Sequence, residues 1–321
     1  MKKIGLIMIY FGEFPMYVKI FFRTLKECSN IDFLLFTDQR VIADEYINLK
    51  VYYTSLEELR ERFQGYFDFP ISLDKAYKIC DYRPAFGEIF SLELKEYDYW
   101  GHCDMDMVLG NVMKFLPNNI FEYNSKIYQH GHLTLYKNTF EVNKIYREKG
   151  GQNFKDVFST PIACIFDEVE GIQKKFDLLH INTYKKRDCV DISPWHYSFK
   201  RSETNLTKEE RRGFNYEKQV FYWQNGGVYR AYWLKDKIHI DEFNYLHFQK
   251  RNLPVNFNNV DNVKAFYITR NGFYEKDISC NPTLKEIMKY NSNSKIKDLA
   301  FLFKYYYFIW KRRFNKYILR K

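Results

Sequence analysis

The strongest constraint on the fold is an almost uninterrupted apolar run at residues 3–10. Runs of this kind form strands that are buried on both faces of a parallel sheet. Residues 16–28 then show helical spacing, residues 31–36 and 49–53 are further strand-like runs, and residues 54–58 form a capped helix start. The order strand, helix, strand, strand, helix predicts an α/β chain that begins with a doubly wound sheet.

Two carboxylates, Asp104 and Asp106, follow an aromatic run within residues 97–111. If this segment is extended, both side chains point to the same side, because strand side chains alternate. Two carboxylates on one side of a strand end suit a hard divalent cation that keeps positions open for phosphate oxygens, as in a nucleotide-sugar diphosphate. Asp-x-Asp is a short pattern, however, and two solvated turn carboxylates are the alternative.

Residues at the ends of the first two strands are candidates for nucleotide binding. Ligands of doubly wound sheets bind at the carboxyl ends of the strands. We therefore expect these residues to face the base and the ribose; they are Tyr10, Phe11, Gly12, Thr37 and Asp38. Ordinary loop positions are the equally good alternative for each residue taken alone.

The composition favours a folded protein with an anionic partner. Of 321 residues, 46% are apolar and 20% aromatic, which is enough for a sizeable core and argues against disorder. The net charge of +10 favours a nucleotide diphosphate, an anionic membrane surface or a nucleic acid as partner.

The cysteines and the apolar runs indicate whether the protein is cytosolic, secreted or embedded in a membrane. Six cysteines are scattered without zinc spacing, which predicts a reduced cytosolic protein. Residues 1–10 resemble a secretion signal only superficially, because the apolar run is short and lacks a small-residue cleavage site. The sequence has no run of about 18 apolar residues and predicts no membrane-spanning segment.

Residues 72–96 are predicted to form a helix that is interrupted near Pro84. Lys78, Asp81 and Arg83 lie on it, and it leads directly into the strand that carries the paired carboxylates. These three side chains are therefore candidates for ligand contact. A solvated face is the usual explanation for a run with charges of both signs, and it is the alternative.

Together these two regions resemble a known family. A Lys-x-x-Asp-x-Arg-Pro helix precedes a Trp-Gly-x-x-Asp-x-Asp strand and a Gly-Asn turn, as in GT-A-type glycosyltransferases of bacterial capsule and exopolysaccharide clusters. The resemblance implies a single GT-A-like (Rossmann-related) α/β catalytic domain with a mixed central sheet at residues 1–255. It also implies Mn²⁺ or Mg²⁺ dependence, with Asp104 and Asp106 at the metal and the ribose.

The resemblance assigns roles to four later residues. Residues 163–169 are predicted to be an apolar strand that ends in Asp167 and Glu168, which would lie beside the donor sugar and the acceptor. A carboxylate there suits a general base, with Asp167 the first choice and Glu168 the second. His247 would be a third metal ligand and Lys250 would contact the diphosphate. A surface pair of acids and a core or surface histidine are the alternatives.

Residues 182–216 are polar, basic and irregular, which is typical of a lid or a binding loop. We interpret this segment as an acceptor-side loop in which Trp195, His196 and Tyr197 stack on sugar rings. A chance aromatic cluster over the core is the alternative.

The last part of the chain is predicted to be an extension. Residues 256–294 contain an Asn-Gly hairpin signal and a linker, and residues 295–321 carry nine Lys or Arg and one acid, Asp298. Lys297, Lys304 and Lys311 share one helical face, with the apolar residues largely opposite. This pattern predicts a basic amphipathic helix on an anionic membrane surface, or else a terminal helix docked on the catalytic domain.

The sequence therefore predicts a metal-dependent hexosyl- or pentosyltransferase of bacterial surface polysaccharide synthesis. Its donor would be a nucleotide-sugar, most simply a UDP-sugar, and its acceptor a lipid-linked glycan at the cytoplasmic face of the membrane. A nucleotidyl- or phosphosugar transferase is one alternative, although residues 11–15 lack a basic Gly-rich loop. A basic nucleic-acid or membrane-binding module is the other; without an RNA-recognition motif, no nucleic-acid partner is expected.

Overall fold

The computed structural model describes residues 2–41, 45–204, 206–249, 251–291 and 293–318. They form two compact units, each built from several stretches of the chain. The first unit contains Met1–Phe14, Cys28–Met105 and Val112–Arg187, and the second contains Pro15–Glu27, Asp106–Asn111 and Asp188–Lys321. The division of the chain at residues 255 and 294 stays a prediction.

The strands and helices are labelled in chain order. The strands are β1 Ile4–Tyr10, β2 Ile31–Thr37, β3 Leu49–Tyr53, β4 Tyr99–Cys103, β5 Met107–Leu109, β6 Lys126–His130, β7 Leu133–Lys137, β8 Thr183–Tyr184, β9 Val190–Asp191, β10 Gln219–Gln224, β11 Gly227–Leu234, β12 Lys237–Phe243, β13 Tyr245–His247, β14 Ala265–Thr269 and β15 Gly272–Glu275. The helices are α1 Val18–Leu25, α2 Leu56–Gln64, α3 Ile79–Tyr82, α4 Phe86–Ile89, α5 Ser91–Leu94, α6 Asn118–Tyr123, α7 Phe140–Asn143, α8 Phe154–Ser159, α9 Lys174–Leu178, α10 Leu284–Tyr290 and α11 Lys295–Ile318.

The first unit is organised around a mixed sheet. Over the described residues its strand order is β3-β2-β1-β4-β7-β6-β8. The pairs β3–β2, β2–β1 and β1–β4 are parallel, whereas β7 is antiparallel to both of its neighbours. The predicted α/β class with a mixed central sheet is therefore confirmed. The capped start of α2 is confirmed as well, since Ser55 and Glu58 form a reciprocal capping box.

The second unit contains two smaller sheets. Among the described residues, β12-β11-β10-β14-β15 form an antiparallel sheet and β5-β13-β9 form a short mixed one. The strand, tight turn and strand predicted after residue 217 are β10 and β11, and the Asn-Gly hairpin is β14 and β15. A core around Trp223 joins the two sheets of this unit, and the Trp223 Nε1 donates to the Leu109 carbonyl oxygen at 2.9 Å.

Three local predictions are wrong in informative ways. The helix predicted at residues 72–96 has its predicted interruption at Pro84, which lacks an N–H group, but it is otherwise a series of short helical turns with a second break at Phe90. The strand predicted at residues 163–169 does not form, because Asp81 accepts the N–H groups of Cys164 and Phe166 that a sheet would require. The segment with the paired carboxylates is not continuously extended either, since β4 ends at Cys103 and β5 starts at Met107.

The helices of the described segments are unlike membrane spans. None of them combines the length and the apolar character that crossing a bilayer requires.

Candidate functional site

The carboxyl ends of β1 and β2 lie side by side in the first unit. The Gly12 backbone N–H donates to Asp38 Oδ1 at 2.9 Å. Gly12 has a φ of +86°, a conformation that glycine adopts without strain. The side chain of Gln39, followed by the Gly12 N–H, lowers the pKa of Asp38. Asp38 is exposed and stays ionised, so its carboxylate can accept further hydrogen bonds.

The other predicted residues at these strand ends take different environments. Tyr10 donates its hydroxyl proton to the Glu13 carbonyl oxygen at 3.3 Å, and Phe11 packs on the edge of the core. Thr37 is buried, and its hydroxyl oxygen accepts the Gln39 N–H. The side chains of Tyr10, Phe11 and Asp38 are therefore partly or fully accessible to solvent at the strand ends, whereas buried Thr37 stabilises the turn through its hydrogen bond with Gln39.

Lys78 and Asp81 are buried and hold a loop together. The Lys78 ammonium donates to Asp81 Oδ2 at 2.7 Å and to the carbonyl oxygens of Val157 and Ile162 at 2.7 and 2.8 Å. These three acceptors use all three N–H groups of the ammonium. Because Asp81 also accepts two loop N–H groups, the pair fixes the segment that leads to Asp167.

Arg83 joins two of the predicted carboxylates within the first unit. Its Nη1 donates to the Gly131 carbonyl oxygen at 2.8 Å and to Asp167 Oδ2 at 2.9 Å, and its Nη2 pairs with Asp104. The Asp104 N–H in turn donates to the His132 carbonyl oxygen at 3.0 Å. Arg83 therefore fixes the positions of Asp104 and Asp167, which are distant from each other in the sequence.

Asp167 is nearly inaccessible to solvent, and this changes its acidity. Burial raises its pKa to about 6, although the Arg83 guanidinium opposes the shift. Gly131 is required beside it, since a Cβ at that position would lie 2.5 Å from Asp167 Oδ2. Glu168, the second candidate, is half-buried at the start of the π-helical turn Val169–Gln173.

In the second unit, His247 lies between two carboxylates. Its Nε2 is 3.3 Å from Asp106 Oδ1, and its Nδ1 is 2.9 Å from Asp191 Oδ1. The sheet register produces this arrangement, because His247 pairs with Met107 on one side and with Asp191 on the other. The Phe248 N–H also donates to the Asp106 carbonyl oxygen at 3.1 Å, which holds Asp106 next to β13.

The two carboxylates change the acidity of the imidazole. Burial alone would lower the pKa of His247, but the charges of Asp106 and Asp191 raise it to about 10. Asp191 Oδ1 also accepts the Gln249 side-chain N–H at 2.7 Å. In metal sites a ligating histidine usually donates its second ring N–H to a carboxylate, and Asp191 is placed to accept from the His247 Nδ1 in this way.

The sequence did not single out three residues of these clusters. Asp191 and Gln249 orient His247, and Gly131 makes room for Asp167. A Gly between two histidines at residues 130–132 was the available signal for Gly131. Asp191 had no signal, because its role follows from the pairing of β9 with β13. Lys250 lies outside the described residues.

A profile of one protein family matches residues 6–277. The chain belongs to this family, DUF6625, which is described as a family of unknown function. The DUF6625 match contains every candidate site residue named above and ends before α10 and α11.

The DUF6625 chain shares structural similarity, at low sequence identity, with solved proteins. No curated protein matches it. It is similar to the crystal structure of mouse xyloside xylosyltransferase 1 in its apo form, with a TM-score of 0.44, 8% identity, and coverage of 79% of this chain and 99% of that one. It is also similar to a glycosyltransferase involved in glycosylation of the major capsid of PBCV-1, with a TM-score of 0.33, 11% identity, and coverage of 59% and 85%.

Proposed function

We propose that this protein is a metal-dependent glycosyltransferase that uses a nucleotide-sugar donor. The observation that carries the proposal is the position of the His247 imidazole between Asp191 and Asp106, the second carboxylate of the Asp-x-Asp motif. The transferred unit is a hexose or a pentose, and UDP-sugars are the first donors to test. The acceptor is a glycan, lipid-linked and at the cytoplasmic face of the membrane, in bacterial surface polysaccharide synthesis.

The donor atoms fit a divalent cation. Asp106 and His247 supply a carboxylate oxygen and an imidazole nitrogen, and Asp104 adds a second carboxylate because Met105 alone separates it from Asp106 in the chain. A mixed oxygen and nitrogen set suits Mn²⁺ better than Mg²⁺, which prefers oxygen alone. The bound cation would neutralise charge on the diphosphate of the leaving group. The proposed diphosphate contact of Lys250 depends on the sequence alone.

The strand ends of the first unit are proposed to bind the nucleoside. Asp38 is exposed and ionised, so it can accept hydrogen bonds from ribose hydroxyl groups. The rings of Tyr10 and Phe11 offer apolar faces to a base. The Gly12 turn and Thr37 keep Asp38 in place and need not touch the ligand.

The Arg83 cluster is proposed to serve the acceptor side. A carboxyl group with a pKa of about 6 can take up or release a proton near neutrality, which suits Asp167 as a general base. Glu168 is the second candidate for contact with the acceptor. Arg83 would orient the carboxylates of Asp104 and Asp167, and Lys78 with Asp81 would position the loop that carries Asp167 and Glu168.

The proposal is tested with a panel of nucleotide-sugars. With Mn²⁺ present, we expect one donor to raise the melting temperature and to be hydrolysed, because a ligand that binds only the native state stabilises it. Donor without Mn²⁺, and Mn²⁺ with the matching nucleoside alone, are the controls. If no nucleotide-sugar shifts melting or is turned over while nucleoside triphosphates are, nucleotidyl transfer replaces this proposal.

A further inference from the structure

Helix α11 is fixed to the second unit by one of its faces. Asp298 Oδ1 accepts the Ser198 N–H at 2.7 Å, its Oδ2 accepts the Ser198 hydroxyl at 2.8 Å, and the Lys200 ammonium lies 3.5 Å from Oδ2. The Tyr305 ring packs against Trp195, with ring centroids 4.5 Å apart. This inner face also includes the half-buried Phe301, Leu302 and Ile309.

The opposite face of α11 is apolar and exposed. Six large side chains are between 59% and 85% accessible, and they are spaced mostly three or four residues apart, so they form one stripe along the helix. We call them the outer stripe: Ile296, Leu299, Phe303, Tyr306, Tyr307 and Trp310. A contiguous apolar patch of this kind marks an interaction surface, whereas single exposed apolar residues do not.

Positive charge borders the outer stripe. Lys295 and Lys311 are exposed, and at 3.6 residues per turn they fall on opposite sides of the stripe. The sequence from residue 295 to 321 has nine Lys or Arg and Asp298 as its only acid. The Asp298 carboxylate faces Ser198 and Lys200, so the described outer face presents apolar side chains with cationic neighbours.

We propose that the outer stripe inserts into the interface of an anionic lipid bilayer, with α11 lying parallel to the membrane plane. Tyr and Trp side chains are favoured at the level of the headgroups, and Leu, Ile and Phe enter the acyl boundary below them. The bordering lysines add attraction to acidic lipids. A second copy of the chain is a poorer occupant, because two faces with the same cationic border repel each other. This inference does not depend on the proposed glycosyl transfer.

The proposal is tested by flotation of the full-length protein with vesicles. One set contains equal parts of phosphatidylcholine and phosphatidylglycerol, and the other contains phosphatidylcholine alone. The test variant is F303Q/W310Q, which should lower the partition coefficient about a hundredfold, because a Phe side chain leaves the acyl boundary and a Trp side chain leaves the headgroup region. The matched control is F140Q, since Phe140 in the first unit is as exposed as Phe303.

The proposal is supported if the wild-type protein binds the anionic vesicles and salt weakens this binding. F140Q should then still bind, and F303Q/W310Q should not. Equal vesicle binding by the wild type and F303Q/W310Q overturns the proposal. Failure of the wild-type protein to float with either vesicle type also overturns it. A wild-type dimer that F303Q/W310Q dissociates, without vesicle binding, overturns it in favour of contact between two copies. Circular dichroism and melting temperature confirm that both variants are folded.

Discussion

The two aspartates of one short motif are held by different kinds of partner. In the first unit, Asp104 pairs with the guanidinium of Arg83, which keeps its charge at any pH the protein meets. In the second unit, Asp106 faces the imidazole of His247, and an imidazole can either carry a proton or, when neutral, bind a metal ion.

This difference indicates that the two clusters have different roles. In the first cluster Arg83 compensates the charge of Asp104 and also pairs with Asp167, so Arg83 itself stabilises and positions these two carboxylates. His247 can exchange a proton for a metal ion, so the Asp106 cluster is the better candidate for a site that changes its occupant. The comparison predicts that variants of the second cluster affect metal binding, and that loss of Arg83 from the first cluster mainly affects stability.

Asp106→Asn tests the metal assignment and should have the largest effect. Mn²⁺-dependent turnover of the nucleotide-sugar should fall about a thousandfold with the fold intact, because a ligand that stabilises charge in the reaction is lost. Turnover kinetics measure the loss of activity, and titration calorimetry with Mn²⁺ measures the loss of metal binding. D236N is the matched control, an exposed aspartate of the same unit. Normal turnover in D106N would reject the metal assignment.

Arg83→Met tests the stabilising role of the first cluster. Asp167 would be left buried without its counter-charge, so the free energy of unfolding should fall by about 3 kcal/mol. Denaturant unfolding measures this value, and R83M/D167N should recover part of it. R60M, which removes an exposed ion pair with Asp74, should change stability by less than about 1 kcal/mol. Similar losses in R83M and R60M would contradict the assignment.

Asp191→Asn tests whether the second carboxylate orients the metal ligand. The amide of the variant accepts the His247 Nδ1–H less well than the Asp191 carboxylate does. Mn²⁺ affinity should therefore drop roughly ten- to a hundredfold, the usual effect of losing the hydrogen-bond partner of a ligating histidine. Calorimetry with Mn²⁺ alone measures the affinity. Q249A, which removes only the Asp191–Gln249 contact, should change it less. If D191N keeps its Mn²⁺ affinity but melts at a lower temperature, Asp191 has only a structural role.

The smallest effect concerns the pH dependence of stability. Because burial raises the pKa of Asp167 to about 6, its folded form binds a proton more tightly than its unfolded form. Its contribution to stability is therefore fully present below about pH 4 and is lost as the pH rises through about 6. D167N should flatten the decline of melting temperature over this interval.

Asp177 provides a control of opposite sign. The Lys185 ammonium and the Gln173 amide lower its pKa despite the opposing effect of burial. Its contribution is present above the ordinary carboxyl pKa and is lost as the pH falls, so D177N should flatten the acid limb instead. The same change of slope in both variants would show that the pKa shift of Asp167 is not its cause.

Much of the local structure followed from the residue pattern. The apolar run gave β1, Ser55 with Glu58 gave the start of α2, and Asn271-Gly272 gave the hairpin of β14 and β15. Local chemistry decides these elements, because caps and turns depend on side chains a few residues apart.

Helix α11 shows where the pattern was insufficient. The charge pattern predicted a single apolar face opposite Lys297, Lys304 and Lys311. The structure instead divides the apolar residues, with Leu302 and Ile309 on the inner face and Phe303 and Trp310 on the outer stripe. Periodicity gives the angular position of each residue but does not say which side a neighbouring segment covers, and here the segment around Ser198 covers one side.

The sequence by itself determined the α/β class and the position of Asp104 and Asp106 after a strand of the central sheet, whereas His247 became a candidate through the family resemblance. Only the tertiary structure decided the partners: Arg83 for Asp104 and Asp167, and Asp191 with Asp106 for His247. The physical reason is sequence distance. A pattern of neighbours sets backbone conformation and the direction of a side chain, whereas contacts between residues dozens of positions apart depend on strand register and loop closure.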